Sequence, residues 1–231
     1  MFEEGIKFPL EGDDAVKRLL IGGLLAIFSV LIIPAFALVG YYIEVARAGV
    51  EQAPEPPAFE DWGDLIVKGI VGTVIMIVYG IVPFILVMLT SGLSFAGAAR
   101  GGTAGGILGG VGALGLLVAL LALLVVYYAI PAGLVNYAIE GNIGAAFSWS
   151  DIKPVLLSGD YLVAWLVPFV LAFVLNIVIA ILAVTIVGLI LVPFLQFYVY
   201  VAVLYMFGRA FAEASGPDTV ERTDGSEGAP A

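Results

Sequence analysis

The amino-acid sequence predicts an all-α fold, a polytopic bundle of transmembrane helices. Of its 231 residues, 62% are hydrophobic and only 12% are charged, which gives more apolar surface than a soluble core of this length can bury. A membrane-crossing helix needs about 20 apolar residues, and about five runs of this kind cover residues 19–42, 65–90, 106–129, 161–184 and 189–207. We therefore expect a single transmembrane domain over residues 1–211 and a disordered acidic tail over 212–231.

The spans are predicted to be helical because an isolated strand cannot satisfy its backbone in lipid, and because the runs lack the alternation of a barrel. The apolar stretch 161–207 is too long for one crossing. It is expected to form a tight hairpin that turns near residues 185–188. Prolines in or beside the runs predict kinks that can open a cavity at mid-depth, namely Pro34, Pro83, Pro131, Pro168 and Pro193.

Three Gly-Asp pairs stand just before apolar runs, and their aspartates are Asp13, Asp64 and Asp160. A carboxylate at a helix start accepts hydrogen bonds from free N–H groups and interacts favourably with the helix dipole. The three aspartates are therefore predicted to cap helix starts, and a binding role is the alternative. Lys17 and Lys68 follow the first two aspartates by four residues and are expected to pair with them.

Two segments of the chain resemble each other, IPAFALVGYYIE at 33–44 and IPAGLVNYAIE at 130–140, and an Ala-Phe stretch follows each. The pattern indicates internal duplication, which is common in membrane transporters. The stretches AFEDWGDL and AFSWSDI are predicted to form short amphipathic helices in the headgroup layer. The aromatic residues expected to act as interfacial anchors are Phe59, Trp62, Phe147, Trp149 and Trp165.

A glycine-rich segment separates the second and third runs. Gly101, Gly105, Gly109 and Ala113 repeat every four residues, which predicts a small-residue ridge for close helix packing. We favour packing inside the bundle over a dimer seam, and the oligomeric state stays open. The polar residues Asn176, Gln196 and Thr73 within the runs are predicted to make intramembrane contacts, and interhelical hydrogen bonding is favoured over substrate contact.

The chain contains no cysteine and no histidine. This excludes thiol nucleophiles, disulfides, His-ligated metal sites and Ser-His-Asp chemistry. The remaining clustered candidates are carboxylates at helix ends, where solvated acids are ordinary. We therefore predict no catalytic residue, no cofactor and no metal site.

The charge balance is strongly acidic, with 19 acidic against 9 basic residues. No basic surface is available for nucleic acid, so nucleic acid is excluded as a partner. An acidic surface stays hydrated in high salt, which is typical of a halophile. Lys17 and Arg18 directly before the first run favour a cytoplasmic N-terminus.

Four stretches together resemble a known family. They are FPLEGDDAVKRLLIGGLL near the N-terminus, PPAFEDWGDLIVKG, the GAAFSW that follows the third run, and YLVAWLVPF. This pattern is similar to the archaeal membrane family known as domain of unknown function 4013. The resemblance covers nearly the whole chain except the tail. It implies a multi-helix membrane protein of the haloarchaeal type with no established activity.

The sequence favours a non-enzymatic, multi-pass cell-membrane module that organises lipid or a partner protein through its interfacial aromatic segments. The expected partners are membrane lipid and another membrane protein. The alternative is a passive permease or lipid-handling transporter with a cavity between duplicated halves. An intramembrane enzyme that uses Asp64 or Asp151 is a third hypothesis.

Overall fold

The computed structural model describes residues 2–182 and 184–215. Helices account for most of these residues and none of them forms a strand, so the all-α prediction is confirmed. The helices are α1 Phe2–Lys7, α2 Ala15–Ile27, α3 Ile32–Glu51, α4 Trp62–Arg100, α5 Gly102–Glu140, α6 Trp149–Leu156, α7 Gly159–Leu182 and α8 Ile186–Ser215. Short 3₁₀ turns lie at Phe8–Leu10, Phe28–Val30 and Ala145–Phe147.

Five of these helices are long and apolar enough to cross a membrane, namely α3, α4, α5, α7 and α8. This is the pattern of a multi-pass helical membrane bundle. The predicted hairpin of the last two runs is present, with Val184 and Thr185 in the turn before α8. Helix α8 extends through Ser215, and the rest of the predicted acidic tail, 216–231, lies outside the described residues.

The first predicted span, 19–42, is not one helix. Helix α2 ends at Ile27, Leu31 is extended with φ −87° and ψ 141°, and α3 begins at Ile32. Pro34 explains the break, because its ring clashes with the carbonyl group four residues earlier and it has no N–H to donate. In the first turn of α3 the missing N–H costs nothing.

The contacts group into two compact units. Unit 1 contains the described residues of Met1–Thr73 and Pro131–Ala231, and unit 2 contains Val74–Ile130. Helices α4 and α5 each contribute residues to both units.

Unit 1 is built around α3, and glycines bring the neighbouring helices into backbone contact with it. A Cβ atom on Gly49 of α3 would collide with the carbonyl oxygen of Tyr205 of α8, and one on Gly208 of α8 would collide with that of Ala46. Only glycine allows such an approach. The α3–α8 contact therefore depends on these two positions.

The start of α4 meets α3 in the same way. A Cβ atom on Gly40 would collide with the carbonyl oxygen of Leu65, and one on Gly69 would collide with that of Phe36. This contact brings the polar first turns of α4 beside the polar end of α3. It thereby positions the ionic groups described below.

Unit 2 is a helical hairpin whose turn uses two glycines at positive φ, Gly101 at 61° and Gly102 at 63°. Below the turn, a Cβ atom on Gly97 would collide with the backbone of Gly109. A Cβ atom on Gly105 would lie 2.6 Å from the Gly97 carbonyl oxygen. Two positions of the predicted small-residue ridge thus pack within the chain.

Candidate functional site

The charged residues of unit 1 fall into four segments, 3–18, 44–68, 140–160 and 209–213, with uncharged sequence over 19–43 and 161–208. Ion pairs join three of these segments, because Arg18 pairs with Glu55 and Arg209 pairs with Glu4. Lys68 pairs with Glu44 inside the segment 44–68, and Glu140 of the remaining segment lines a cavity together with Lys68. We call the surface formed by the four segments the charged face.

A three-residue ionic cluster links α3 to α4 on this face. The Nζ atom of Lys68 lies 2.7 Å from Oε1 of Glu44 and 2.6 Å from Oδ2 of Asp64. The predicted pairing of Lys68 with Asp64 is therefore present. The corresponding pairing of Lys17 is with Asp14 at 3.9 Å instead of Asp13.

A cavity of about 310 Å³ opens beside the ionic cluster. Helices α3, α4 and α5 line it, and its polar side chains are Arg47, Asp64, Lys68, Tyr137 and Glu140. Arg47 is held by Glu51, whose Oε1 lies 2.6 Å from the Arg47 Nε atom. The cavity thus offers both cations and carboxylates, together with a phenol ring, to a polar group of mixed charge.

A second cavity of about 470 Å³ lies where the N-terminal segment meets α8. Its lining includes Glu4, Lys7, Glu11, Gln52 and Arg209.

Among the described residues, no group of three or more His, Cys, Asp or Glu is placed to hold a metal ion.

Arg18 is buried, with 5% of its surface exposed. Its guanidinium group donates to the carbonyl oxygen of Glu11 and to the carboxylate of Glu55, 3.2 Å away. This ties α2 to the loop after α3. The sequence predicts Arg18 at a membrane flank. Its burial could not be predicted, because its partner Glu55 is distant in sequence.

Asn136 is a second buried polar residue that sequence reasoning missed. Its amide group donates to the Ala145 carbonyl oxygen at 2.8 Å, which fixes the chain as it leaves α5. Nearby, the N–H group of Ala132, beside Pro131, donates to the hydroxyl of Tyr161 at 3.1 Å. These bonds join α5 to the segments that follow it.

The first predicted interfacial segment contains no separate helix, because α4 begins directly at Trp62. Phe59 stacks on Tyr41 with ring centroids 3.9 Å apart and lies 5.8 Å from the ring of Trp62. It is half-buried. Phe59 therefore packs into unit 1 while Trp62 remains exposed.

The second predicted interfacial segment forms the short amphipathic helix α6. Its Ile152 and Val155 are buried, whereas Trp149 is 66% exposed. Phe147, just before it, is also exposed. Helix α6 therefore lies on the bundle with an apolar inner side and presents an indole ring outward.

Two further polar and aromatic contacts lie near α6. The Ser148 hydroxyl donates to Oδ2 of Asp151 at 2.5 Å, so this pair interacts side chain to side chain. Trp165, in α7, makes an edge-on contact with Phe169 at 4.8 Å.

The helix-start acceptors differ from the predicted ones. Asp61 accepts from the N–H group of Asp64 at 3.1 Å, and Ser158 accepts from the N–H group of Tyr161 at 3.1 Å. Asp64 and Asp160 lie inside the first turns, where the helix dipole still favours a negative charge. Asp13 precedes Asp14, the residue at the N-cap of α2.

Two of the three polar residues predicted within the spans form hydrogen bonds within their own helices. The Asn176 amide donates to the Ala172 carbonyl oxygen of its own helix at 2.7 Å, and the Thr73 hydroxyl donates to that of Gly69 at 2.7 Å. Asn176 and Gln196 are exposed on α7 and α8.

Comparison with known proteins identifies one family. A profile described as protein of unknown function (DUF4013) matches residues 25–184. No curated protein and no solved structure matches the chain. The matched region begins within α2 and ends at the turn before α8.

Proposed function

The chain belongs to the DUF4013 family, whose function is unknown, and from this premise we propose that it is a non-enzymatic membrane module that organises lipid around its charged face. The observation that carries this proposal is the placement of Trp149. Helix α6 buries Ile152 and Val155 and leaves Trp149 66% exposed, in the same short helix as Asp151 and Lys153. Tryptophan at such a boundary is stable where one side is apolar and the other is wet.

The cavity beside Lys68 supports the same function. Arg47 and Lys68 offer positive charge, and Tyr137 lines the same cavity. A lipid headgroup that carries a phosphate meets such cations at the level where the apolar helices begin. The carboxylates of Asp64 and Glu140 in the same lining favour a headgroup that also carries a positive group.

The acids considered for catalysis are engaged in structural contacts. Asp64 pairs with Lys68, and the two carboxylate oxygens of Asp151 accept from Ser148 and Ser150. A general acid or base needs a proton that it can exchange with a substrate within hydrogen-bond reach. These contacts favour a structural role, which is why we propose a non-enzymatic module.

The geometry supports the alternative, a passive permease, less well. A permease of this kind needs polar groups that face a cavity between helices. Asn176 is exposed and bonded within its own helix, and Gln196 is exposed on α8. Exposed positions of this kind suit contact with lipid or another helix.

Native mass spectrometry of the protein extracted from its own membrane in mild detergent tests the proposal. We expect the intact chain to retain lipid, and the double variant Trp62→Ala/Trp149→Ala to lose most of it. The matched control is Phe95→Ala, which removes an exposed aromatic ring from unit 2.

Equal lipid retention by all three proteins would contradict a role for the charged face. A stoichiometric second polypeptide in place of lipid would also overturn the proposal, in favour of a module that organises a partner protein. Loss of lipid in the Phe95→Ala control alone would move the lipid contact to unit 2.

A further inference from the structure

The two ends of the described chain meet at one place. Glu4 and Arg209 form an ion pair of 3.9 Å, and the rings of Phe8 and Tyr205 stack with centroids 3.8 Å apart. The hydroxyl of Tyr198 donates to the Ile6 carbonyl oxygen. The N-terminal segment and the end of α8 are therefore on the same face of the bundle.

A chain whose ends lie on one face crosses the membrane an even number of times. Helices α4, α5, α7 and α8 form two hairpins, and each helix is long enough and apolar enough to cross. A crossing by α3 alone would make the number odd. Helices α2 and α3 together must therefore contribute either two crossings or none.

Length decides between these possibilities. Helix α2 has 13 residues, so at 1.5 Å per residue it is about 20 Å long, whereas the hydrocarbon core is about 30 Å thick. From Arg18 to the end of α2 the rise is only about 14 Å, and the uncharged part of α3 before Glu44 rises about 18 Å. Although the whole of α3 has the length of a crossing, the uncharged part of neither leg reaches the far side.

The two legs lie side by side at the same depth. A Cβ atom on Gly22 of α2 would collide with the ring of Phe197, and the ring of Tyr41 of α3 lies 5.5 Å from the same ring. Gly23, one residue deeper in α2, faces Phe194 of α8. Helix α2 therefore runs antiparallel to α8 and forms a hairpin with α3.

The tip of this hairpin is apolar and exposed. Its large side chains are Phe28, Val30, Leu31, Ile32 and Ile33, of which Val30 is 86% exposed. The one hydroxyl at the tip, that of Ser29, donates to the Ala26 carbonyl oxygen at 2.7 Å. Such a surface is unfavourable in water and favourable among acyl chains.

We propose that α2 and α3 form a re-entrant hairpin. It enters the bilayer from the charged face, places residues 28–33 among the acyl chains, and returns to the same face without crossing. The occupant of the apolar tip is thus the lipid hydrocarbon that also surrounds α7 and α8. This inference rests on length, parity and exposure, and it is independent of the proposed lipid-organising function.

With this topology, the basic residues are distributed unequally between the two sides of the membrane. Lys7, Lys17, Arg18, Arg47, Lys68, Lys153 and Arg209 belong to the charged segments, and Arg100 stands at the turn between α4 and α5. Because cytoplasmic segments carry the excess of Lys and Arg, the charged face and both ends of the described chain lie in the cytoplasm.

Single-cysteine labelling tests the hairpin directly, because the chain has no cysteine of its own. The variants are Ser29→Cys at the tip, Glu3→Cys and Glu213→Cys at the two ends, and Thr103→Cys beside the α4–α5 turn. Each is treated with a membrane-impermeant maleimide in right-side-out and inside-out vesicles. Val30→Cys is a second tip variant that keeps the Ser29 hydroxyl bond.

We expect Glu3→Cys and Glu213→Cys to react only in inside-out vesicles and Thr103→Cys only in right-side-out vesicles. Both tip variants should react in neither, and should react fully after solubilisation and unfolding. Tip labelling from the side of Thr103 would mean that α2 crosses the membrane. Tip labelling from the side of Glu3 would mean that the tip lies in water, and either result would overturn the proposal.

Discussion

The Nζ atom of Lys68 in α4 lies 2.7 Å from Oε1 of Glu44 in α3, at the edge of the cavity on the charged face. The two side chains are 27% and 21% exposed. An ion pair of this partial burial is shielded from screening by salt, and breaking one partner leaves the other charge poorly solvated.

Replacement of Glu44 by Gln should therefore lower the free energy of unfolding by about 1–2 kcal/mol, between the values for exposed and buried pairs. A double-mutant cycle with Lys68→Met measures the coupling by thermal unfolding in detergent. The more exposed pair of Lys7 with Glu3 is the control and should couple more weakly. Equal coupling in the two pairs would argue against partial burial of the Glu44–Lys68 pair.

The glycine contact between α3 and α8 gives a second prediction. Gly208→Val should lower the free energy of unfolding by at least about 1–3 kcal/mol, because the new side chain collides with the Ala46 backbone. Gly92→Ala is the control, since open space surrounds Gly92 in α4, and it should be neutral or stabilising. A harmless Gly208→Val would contradict the close contact of the two helices.

The helix-start hydrogen bonds give a third prediction. Ser158→Ala removes the acceptor of the Tyr161 N–H group and should cost about 1 kcal/mol of stability. Asp160→Ala should cost less, because Asp160 contributes only through the helix dipole. Thermal unfolding of the two variants side by side checks the order, and the reverse order would restore the Gly-Asp aspartate as the cap.

The acidic composition gives a fourth prediction. With 19 acidic and 9 basic residues, repulsion among carboxylates outweighs the exposed ion pairs, and salt screens both. The melting temperature in detergent should therefore rise as KCl increases from dilute buffer to molar concentration. A fall in melting temperature would mean that the ion pairs dominate instead.

Much of the fold follows from the sequence, because apolar length alone identifies the runs that become α4, α5, α7 and α8. The first span was predicted as one helix because hydropathy is continuous over 19–42. A hydropathy profile contains no information on the helix break that Pro34 causes. It therefore does not predict the α2–α3 hairpin. The glycine spacing near Gly105 did predict close packing, since a four-residue repeat is a local signal.

The candidate site was less accessible to sequence reasoning. The pairing of Asp64 with Lys68 is local, at four residues, and was predicted. The contacts of Lys68 with Glu44 and of Arg18 with Glu55 join residues distant in sequence, so no periodicity reports them. The repeated Gly-Asp pattern predicts a cap at Asp64, whereas the acceptor is Asp61, which lies three residues earlier and outside that pattern.

Contact of the charged face with lipid through Trp149 can be tested by fluorescence. The chain has three tryptophans, so the double variant Trp62→Phe/Trp165→Phe leaves Trp149 as the only indole. The fluorescence of Trp149 is measured in vesicles whose lipids are brominated at known acyl-chain depths. We predict that shallow bromines, near the headgroups, quench Trp149 strongly and that deep bromines quench it weakly. Quenching by aqueous iodide with no effect of brominated lipid would place Trp149 in water and contradict the account.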